Sequence, residues 1–326
     1  MALSVQDKLI DRAAATVAAR RLMENIKRVI RGRDGAVETA VSALFAGGHL
    51  LVEDVPGVGK TMLARSMALS IDGTYKRIQA TPDLLPSDVT GAAIFNQARA
   101  EFQFIEGPVF TNVLLVDEIN RTTPRTQSAL LEAMDENAVT VDGVRHPLPD
   151  PLFVVATQNP IEHHGTYPLP EGQLDRFAIA MGIGYVSADD ERSIIKAQLH
   201  SHPIEELEPV LSPGEVVAAR VAARATHVSD AVIDYALRLT RGTRHHPDLE
   251  LGASPRASIT LIRCAQAAAL IAGRDFVVPD DVKALATSAL AHRLVPIAGM
   301  RLERGHAQAV VTKVLEGTNV PVTEQR

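Results

Sequence analysis

The sequence predicts an α/β fold: a parallel wound sheet followed by a smaller all-helical unit. Three observations carry that expectation. Short apolar runs of strand character alternate with helical stretches as far as Ile183. One of those runs leads into a glycine-rich loop that opens a helix. Beyond Tyr185 the pattern changes to Ala-rich amphipathic stretches, with no strand of comparable quality. At 326 residues the chain exceeds one ordinary core, so two units are expected, 1–195 and 196–326.

The elements follow in order. Over 4–30 apolar residues recur at helical spacing (Leu9, Ile10, Ala13, Val17, Leu22, Ile26, Val29, Ile30), which predicts a leading helix. A second helix over 36–45 stops at Gly47-Gly48, and 49–53 reads as a short buried strand. Further strands are expected at 75–79, 113–116, 153–156 and 178–183, with a helix over 126–137. Two stretches interrupt the alternation as β-hairpins, 92–104 around 97–101 and 139–148 around Asp142-Gly143. The second unit is read as helices over 188–199, 213–225, 230–241, 254–272 and 279–290.

Composition narrows the classes. Apolar residues at 46% and charged residues at 22% are globular usage, and no apolar run approaches the roughly 18 residues of a membrane span. The start MALSVQDKLIDR carries Asp7 and Asp11 and no secretion-type block, so a cytoplasmic protein is expected. Cys264, the single cysteine, lies in the apolar run 262–271 and reads as a small buried hydrophobe. A net charge of −6 gives no overall positive field for nucleic acid. With no Trp, eight Phe and four Tyr, few residues could stack on single strands, so a nucleic-acid partner is not expected.

The loop Asp54-Val-Pro-Gly57-Val-Gly59-Lys60-Thr61 lies between a predicted strand and a predicted helix over 62–70, the context of a phosphate-binding P-loop. This makes the fold an α/β P-loop NTPase. Pro56, Gly57, Val58, Gly59, Lys60, Thr61 and Met62 are assigned to the nucleotide: glycines let backbone N–H groups converge on phosphate, Lys60 reaches the β and γ phosphates, and Thr61 offers a hydroxyl to Mg²⁺. Asp54 stands where the pattern has glycine. An acidic residue there is adverse unless its side chain points away or caps a backbone N–H. The strand 113–116 delivers Asp117 and Glu118 at its carboxyl end, where open parallel sheets bind ligands. Asp117 would join the Mg²⁺ shell and Glu118 would polarise the attacking water. Taken alone, the pair could be a helix cap with a first-turn acid; occurring with the glycine loop, it points to nucleotide.

The motifs together resemble the AAA+ ATPases and, within them, the MoxR family. They are Gly47-Gly-His-Leu-Leu51, Val55-Pro-Gly-Val-Gly-Lys-Thr61, Leu115-Val-Asp-Glu-Ile-Asn-Arg121, Ala156-Thr-Gln-Asn-Pro160, Gly165-Thr-Tyr-Pro-Leu-Pro170, Leu174-Asp-Arg-Phe177 and Gly252-Ala-Ser-Pro-Arg256, within about 29–298. The resemblance implies ATP and Mg²⁺ as cofactors and four further roles. Asn159 would be the polar sensor of the γ-phosphate or attacking water, with an Asn-Pro turn as the alternative. Arg176 would be an arginine finger offered to a neighbouring subunit, with a strand-edge ion pair to Asp175 as the alternative. Arg256 would be a second sensor reaching back to the phosphates; Ser254 and Pro255 suit N-cap and N1, so this cation sits in a first helical turn that only an anion would favour.

The resemblance also implies an assembly. It predicts a homo-oligomer, a hexameric ring that remodels or activates a client protein through maturation or cofactor or metal insertion, with a separate partner bearing a metal-dependent adhesion-type domain. The two hairpins match insertions of the branch that includes MoxR and the magnesium chelatase ATPase subunit, which places 99–104 near the central opening. Phe102 and Phe104 share a face, for packing onto the sheet or for substrate contact. A nucleotide-dependent switch with little turnover is the alternative function. The pairs His163-His164 and His245-His246 lack a Cys or carboxylate at ligand spacing, and no metal site is expected there.

Overall fold

A computed structural model describes residues 11–55, 57–159, 166–199, 202–300 and 305–321. Pro56, His163-His164 and the first residues of the expected leading helix lie outside the described residues.

The chain opens with α1 (Arg12–Lys27), capped by the Asp11 side chain on Ala14 N, and α2 (Asp34–Phe45). Next come β1 (Leu50–Glu53), α3 (Lys60–Ser70), β2 (Tyr75–Gln79) and the short α4 (Pro86–Thr90). A hairpin of β3 (Gly91–Asn96) and β4 (Glu101–Glu106) precedes β5 (Val113–Asp117) and α5 (Pro124–Glu136). The second hairpin is β6 (Ala138–Val141) and β7 (Val144–Pro147). Asp142 and Gly143 both have positive φ (50° and 80°), the conformation a tight Asp-Gly hairpin turn requires. The first unit closes with β8 (Phe153–Gln158), α6 (Glu171–Leu174) and β9 (Ile179–Met181). The remaining elements are α7 (Ala188–Gln198), α8 (Pro213–Arg224), α9 (Asp230–Arg244), β10 (Leu249–Leu251), α10 (Pro255–Ile271), α11 (Pro279–Leu290), β11 (Val295–Pro296) and α12 (His306–Gly317).

Among the described residues five strands form a parallel sheet in the order β2-β5-β8-β1-β9. Its registers are in phase, with Leu50 opposite both Val155 and Ile179. All five strands therefore end along one carboxyl edge and begin along one amino edge. Alternate residues feed two cores, as strand geometry dictates. Leu50, Val52, Val113, Leu115, Phe153 and Val155 pack toward α1, α2 and α3, whereas Leu51, Leu114, Val116, Val154 and Ala156 pack toward α5. Burial on both faces explains why these strands read as continuous apolar runs.

The first core continues from α1 and α2 into α8, α10 and α11, so it crosses the expected boundary at 195/196. Cys264 lies inside it, and burial pushes its thiol up to about 12. The two-stranded β10–β11 ribbon and α12 stand in the part read from sequence as five helices. No helix among the described residues is long and apolar enough to cross a membrane.

Of the two phenylalanines expected to pack, Phe104 does so: its ring lies 5.5 Å from Phe110 and stacks 3.9 Å from His146 of the second hairpin. Phe102 is a correction. It is 73% exposed and meets Phe95 across the ladder, beyond the reach of the core.

Candidate nucleotide site at the carboxyl edge of the sheet

The glycine loop runs from the end of β1 to the first turn of α3. Gly57 (φ 86°) and Gly59 (φ 98°) are left-handed, and a Cβ at either would meet no atom within 4 Å, so conformation rather than space demands glycine. Such turns aim successive backbone N–H groups into one concavity. Lys60 follows as the first helical residue; its ammonium donates to the carbonyls of Asp54 (2.6 Å) and Gln158 (3.3 Å), which suspends it over the ends of β1 and β8. Thr61 and Met62 share that first turn. Asp54 points away from the loop, its carboxylate accepting from backbone N–H groups of Val55, Ile183 and Gly184.

Two strands away, β5 carries Asp117 to the same edge. Asp117 is buried; its Oδ2 accepts from Arg77 Nε at 2.7 Å and its Oδ1 from the Thr157 hydroxyl at 3.3 Å. Glu118 leaves the strand in a left-handed conformation (φ 58°), which costs a non-glycine residue roughly 1–2 kcal/mol. Its N–H donates to Thr157 Oγ1 at 2.9 Å, and its Oε2 accepts from Arg121 (2.9 Å) and Gln79 (3.3 Å). Glu118 stands at the N-cap of the short 3-10 turn Ile119–Arg121 without a side-chain cap hydrogen bond. Thr157 on β8 thus contacts the Asp117 carboxylate and the backbone N–H of Glu118. Asn159, buried, directly follows β8 at this edge.

Beside the loop is a cleft of about 180 Å³ whose lining includes Gly57, Val58, Gly59 and Met62, the apolar Val29, Ile30, Ile183 and Val186, and the polar Arg31, Arg33, Gln198 and His202. Its mixed apolar and polar lining suits a flat ring with polar edges next to the phosphate concavity. A larger cavity of about 410 Å³ lies beyond Arg33 and Ile183, between β9 and α11, and no glycine-loop residue lines it. Arg77, Gln79 and Thr157 escape a reading of the sequence, because only strand order brings them to Asp117 and Glu118.

Arg176 and Arg256 lie elsewhere. Arg176 Nε pairs with Asp135 at 3.1 Å, and Arg256 binds the same carboxylate. Asp135 closes α5 next to Met134, whose carbonyl accepts from His49 at the start of β1, so the cluster marks the amino edge of the sheet. The expectation that Arg256 reaches back to the phosphates is therefore corrected. Ser254, the N-cap of α10, donates to Asp175 at 3.2 Å just before β9, which anchors the first turn of α10 at the wrong edge for that role. The alternative pairing of Arg176 with Asp175 is not seen either; Asp175 is engaged by Arg293 at 2.8 Å. His246 Nδ1 accepts from Asp248 N, and no cluster of three or more His, Cys, Asp or Glu able to hold a metal occurs among the described residues.

A parallel sheet with a glycine loop after its first strand and an acidic pair at the end of a strand two places away defines a P-loop NTPase. Residues 49–179 match the ATPase family associated with various cellular activities (AAA), and residues 241–314 match the AAA lid domain. The uncharacterized protein YeaC of Bacillus subtilis (strain 168) is 48% identical, covering 93% of this chain and 94% of its own. Chaperone MoxR1 of Mycobacterium tuberculosis is 41% identical, covering 95% and 84%. A crystal structure of a provisionally assigned ATPase from Cytophaga hutchinsonii superposes with a TM-score of 0.87 at 33% identity, covering 95% and 97%. The chain belongs to the MoxR family of AAA+ ATPases.

Proposed function

We propose that this chain hydrolyses ATP in a cytoplasmic head-to-tail ring, of hexameric type, and uses the cycle to remodel or activate a client protein. One observation carries the reading. Glycine loop, Asp117, Glu118 and Asn159 share the carboxyl edge, while Arg176 and Arg256 share the amino edge. At about 3.3 Å per residue, the run from His49 to Asp54 alone separates the edges by about 16 Å, too far for one subunit to serve its own phosphates with these arginines. In a head-to-tail contact the amino edge of one copy meets the carboxyl edge of the next, and each half completes the other.

Glu118 would orient and activate the attacking water, Asn159 would hold the water or terminal phosphate, and Lys60 would neutralise charge at the β and γ positions. The Thr61 hydroxyl and the buried Asp117 carboxylate are a donor set suited to Mg²⁺, which when bound would offset phosphate charge. Arg176 from the neighbour would stabilise charge in the transition state more than in the ground state. The name of MoxR1 supports a client-directed role; maturation or cofactor or metal insertion, with an adhesion-type partner, is the form we favour.

The test is steady-state ATPase of Arg176→Ala and Glu118→Gln, separately and after confirmed subunit exchange. Each alone should be inactive, and the mixture should recover activity where an intact finger meets an intact pocket. A mixture no better than its parts removes the trans assignment. A second reading, a nucleotide switch with little turnover, draws support from the ion pairs Arg77–Asp117 and Arg121–Glu118, which hold both carboxylates. Basal turnover that rises several-fold in Arg77→Ala would favour it.

A further inference from the structure

The first position of the phosphate loop is usually glycine, and here Asp54 fills it with a defined set of partners. Oδ1 accepts from Val55 N at 2.7 Å; Oδ2 accepts from Ile183 N at 2.8 Å and Gly184 N at 2.6 Å. Two successive N–H groups converging on one oxygen form an anion-binding nest. The nest depends on the left-handed φ of Gly184 (74°), which a side chain would resist. Gly182 supplies room, since a Cβ there would sit 3.3 Å from Oδ2. The charge therefore leaves the phosphate concavity and enters a second one, built by the residues that follow β9.

That second turn belongs to the base cleft. Ile183 and Val186 line it together with Gly57, Val58, Gly59 and Met62. Asp54 is thus covalently continuous with the phosphate loop and hydrogen-bonded to Ile183 in the lining of the same cleft. The hydrogen bond from Ile183 N to Asp54 closes across 129 positions of sequence.

We propose that Asp54 is a positioning residue that holds the base-cleft wall in register with the phosphate loop, so that base and triphosphate are bound as one unit. The proposal rests on the reading of the loop as an ATP site. Asn is a demanding probe: it keeps the shape but offers one oxygen and one amide to three N–H donors.

The experiment measures binding of ATP and of inorganic tripolyphosphate, both with Mg²⁺, to wild type, Asp54→Asn and Gly184→Ala, with thermal unfolding as the control for folding. Asp54→Asn should weaken ATP about tenfold, the scale of lost charge-assisted hydrogen bonds, while tripolyphosphate stays within about twofold. Gly184→Ala disturbs the nest from its other side and should reproduce that split; the double variant should be no worse than the weaker single one. Equal loss of both ligands would mean that Asp54 merely shapes the loop, and it overturns the proposal. Unchanged or tighter ATP binding in folded Asp54→Asn does the same. Wild type that binds neither ligand overturns the ATP reading itself, a result distinct from the other two.

Discussion

Individual side chains here act through partners far away in sequence. Thr157 touches both Asp117 and Glu118, and the Asp54 carboxylate is turned onto the N–H groups of Ile183 and Gly184. Lys60→Ala should abolish ATP binding, since it removes the charge poised over the loop. Glu118→Gln should bind ATP and lose turnover by orders of magnitude, because the amide keeps the shape but cannot polarise water. Equilibrium binding and steady-state ATPase separate the two. Near-normal turnover in Glu118→Gln would place the base on another residue.

Among the elements, the hairpins show how the same periodicity produces different fates. Phe102 and Phe104 share a face of β4, yet only Phe104 has Phe110 and His146 to meet. Phe104→Ala should cost about 2 kcal/mol in urea unfolding, while Phe102→Ala should stay within about 0.5 kcal/mol, as exposed substitutions do. Equal costs would mean that Phe102 packs in solution. Sequence located both hairpins, since Asp142-Gly143 specifies its own turn; what lies opposite each ring depends on how one hairpin is set against the other.

For the whole molecule, two buried histidines join segments at the amino edge. His49 Nδ1 accepts from Val154 N at 3.1 Å and its other nitrogen donates to the Met134 carbonyl at 3.3 Å; His292 Nε2 meets the Phe177 carbonyl at 3.1 Å. Burial lowers them to about 4 and about 3, from an ordinary 6.5. Between those values the unfolded chain binds protons that the folded chain refuses, so their contribution is present above pH 6.5 and lost as pH falls toward 4. Unfolding free energies at pH 7 and pH 5 should show this loss, and His49→Gln should lower the slope by up to about one proton. An unchanged slope would mean that His49 titrates normally when folded. The same amino edge carries Arg176, Arg256 and Asp135, so acid weakening of His49 would also disturb the proposed trans contact.

The sequence by itself determined the strands of the sheet, the glycine loop, the Asp117-Glu118 pair and most of the later helices. Each is a property of contiguous residues: apolar period, caps such as Ser254-Pro255, and glycines at motif spacing. It missed α12, although Val310, Val311, Val314 and Leu315 carry a helical stripe, and it ran β9 past Met181, where Gly182 and Gly184 turn the chain away. Only the tertiary structure decided that Arg256 stands at the amino edge, that Arg77 faces Asp117, and that Asp54 turns out of its loop. Those outcomes follow from strand order and from hydrogen bonds that close across 40 to 130 positions of sequence, and no local pattern encodes such closures.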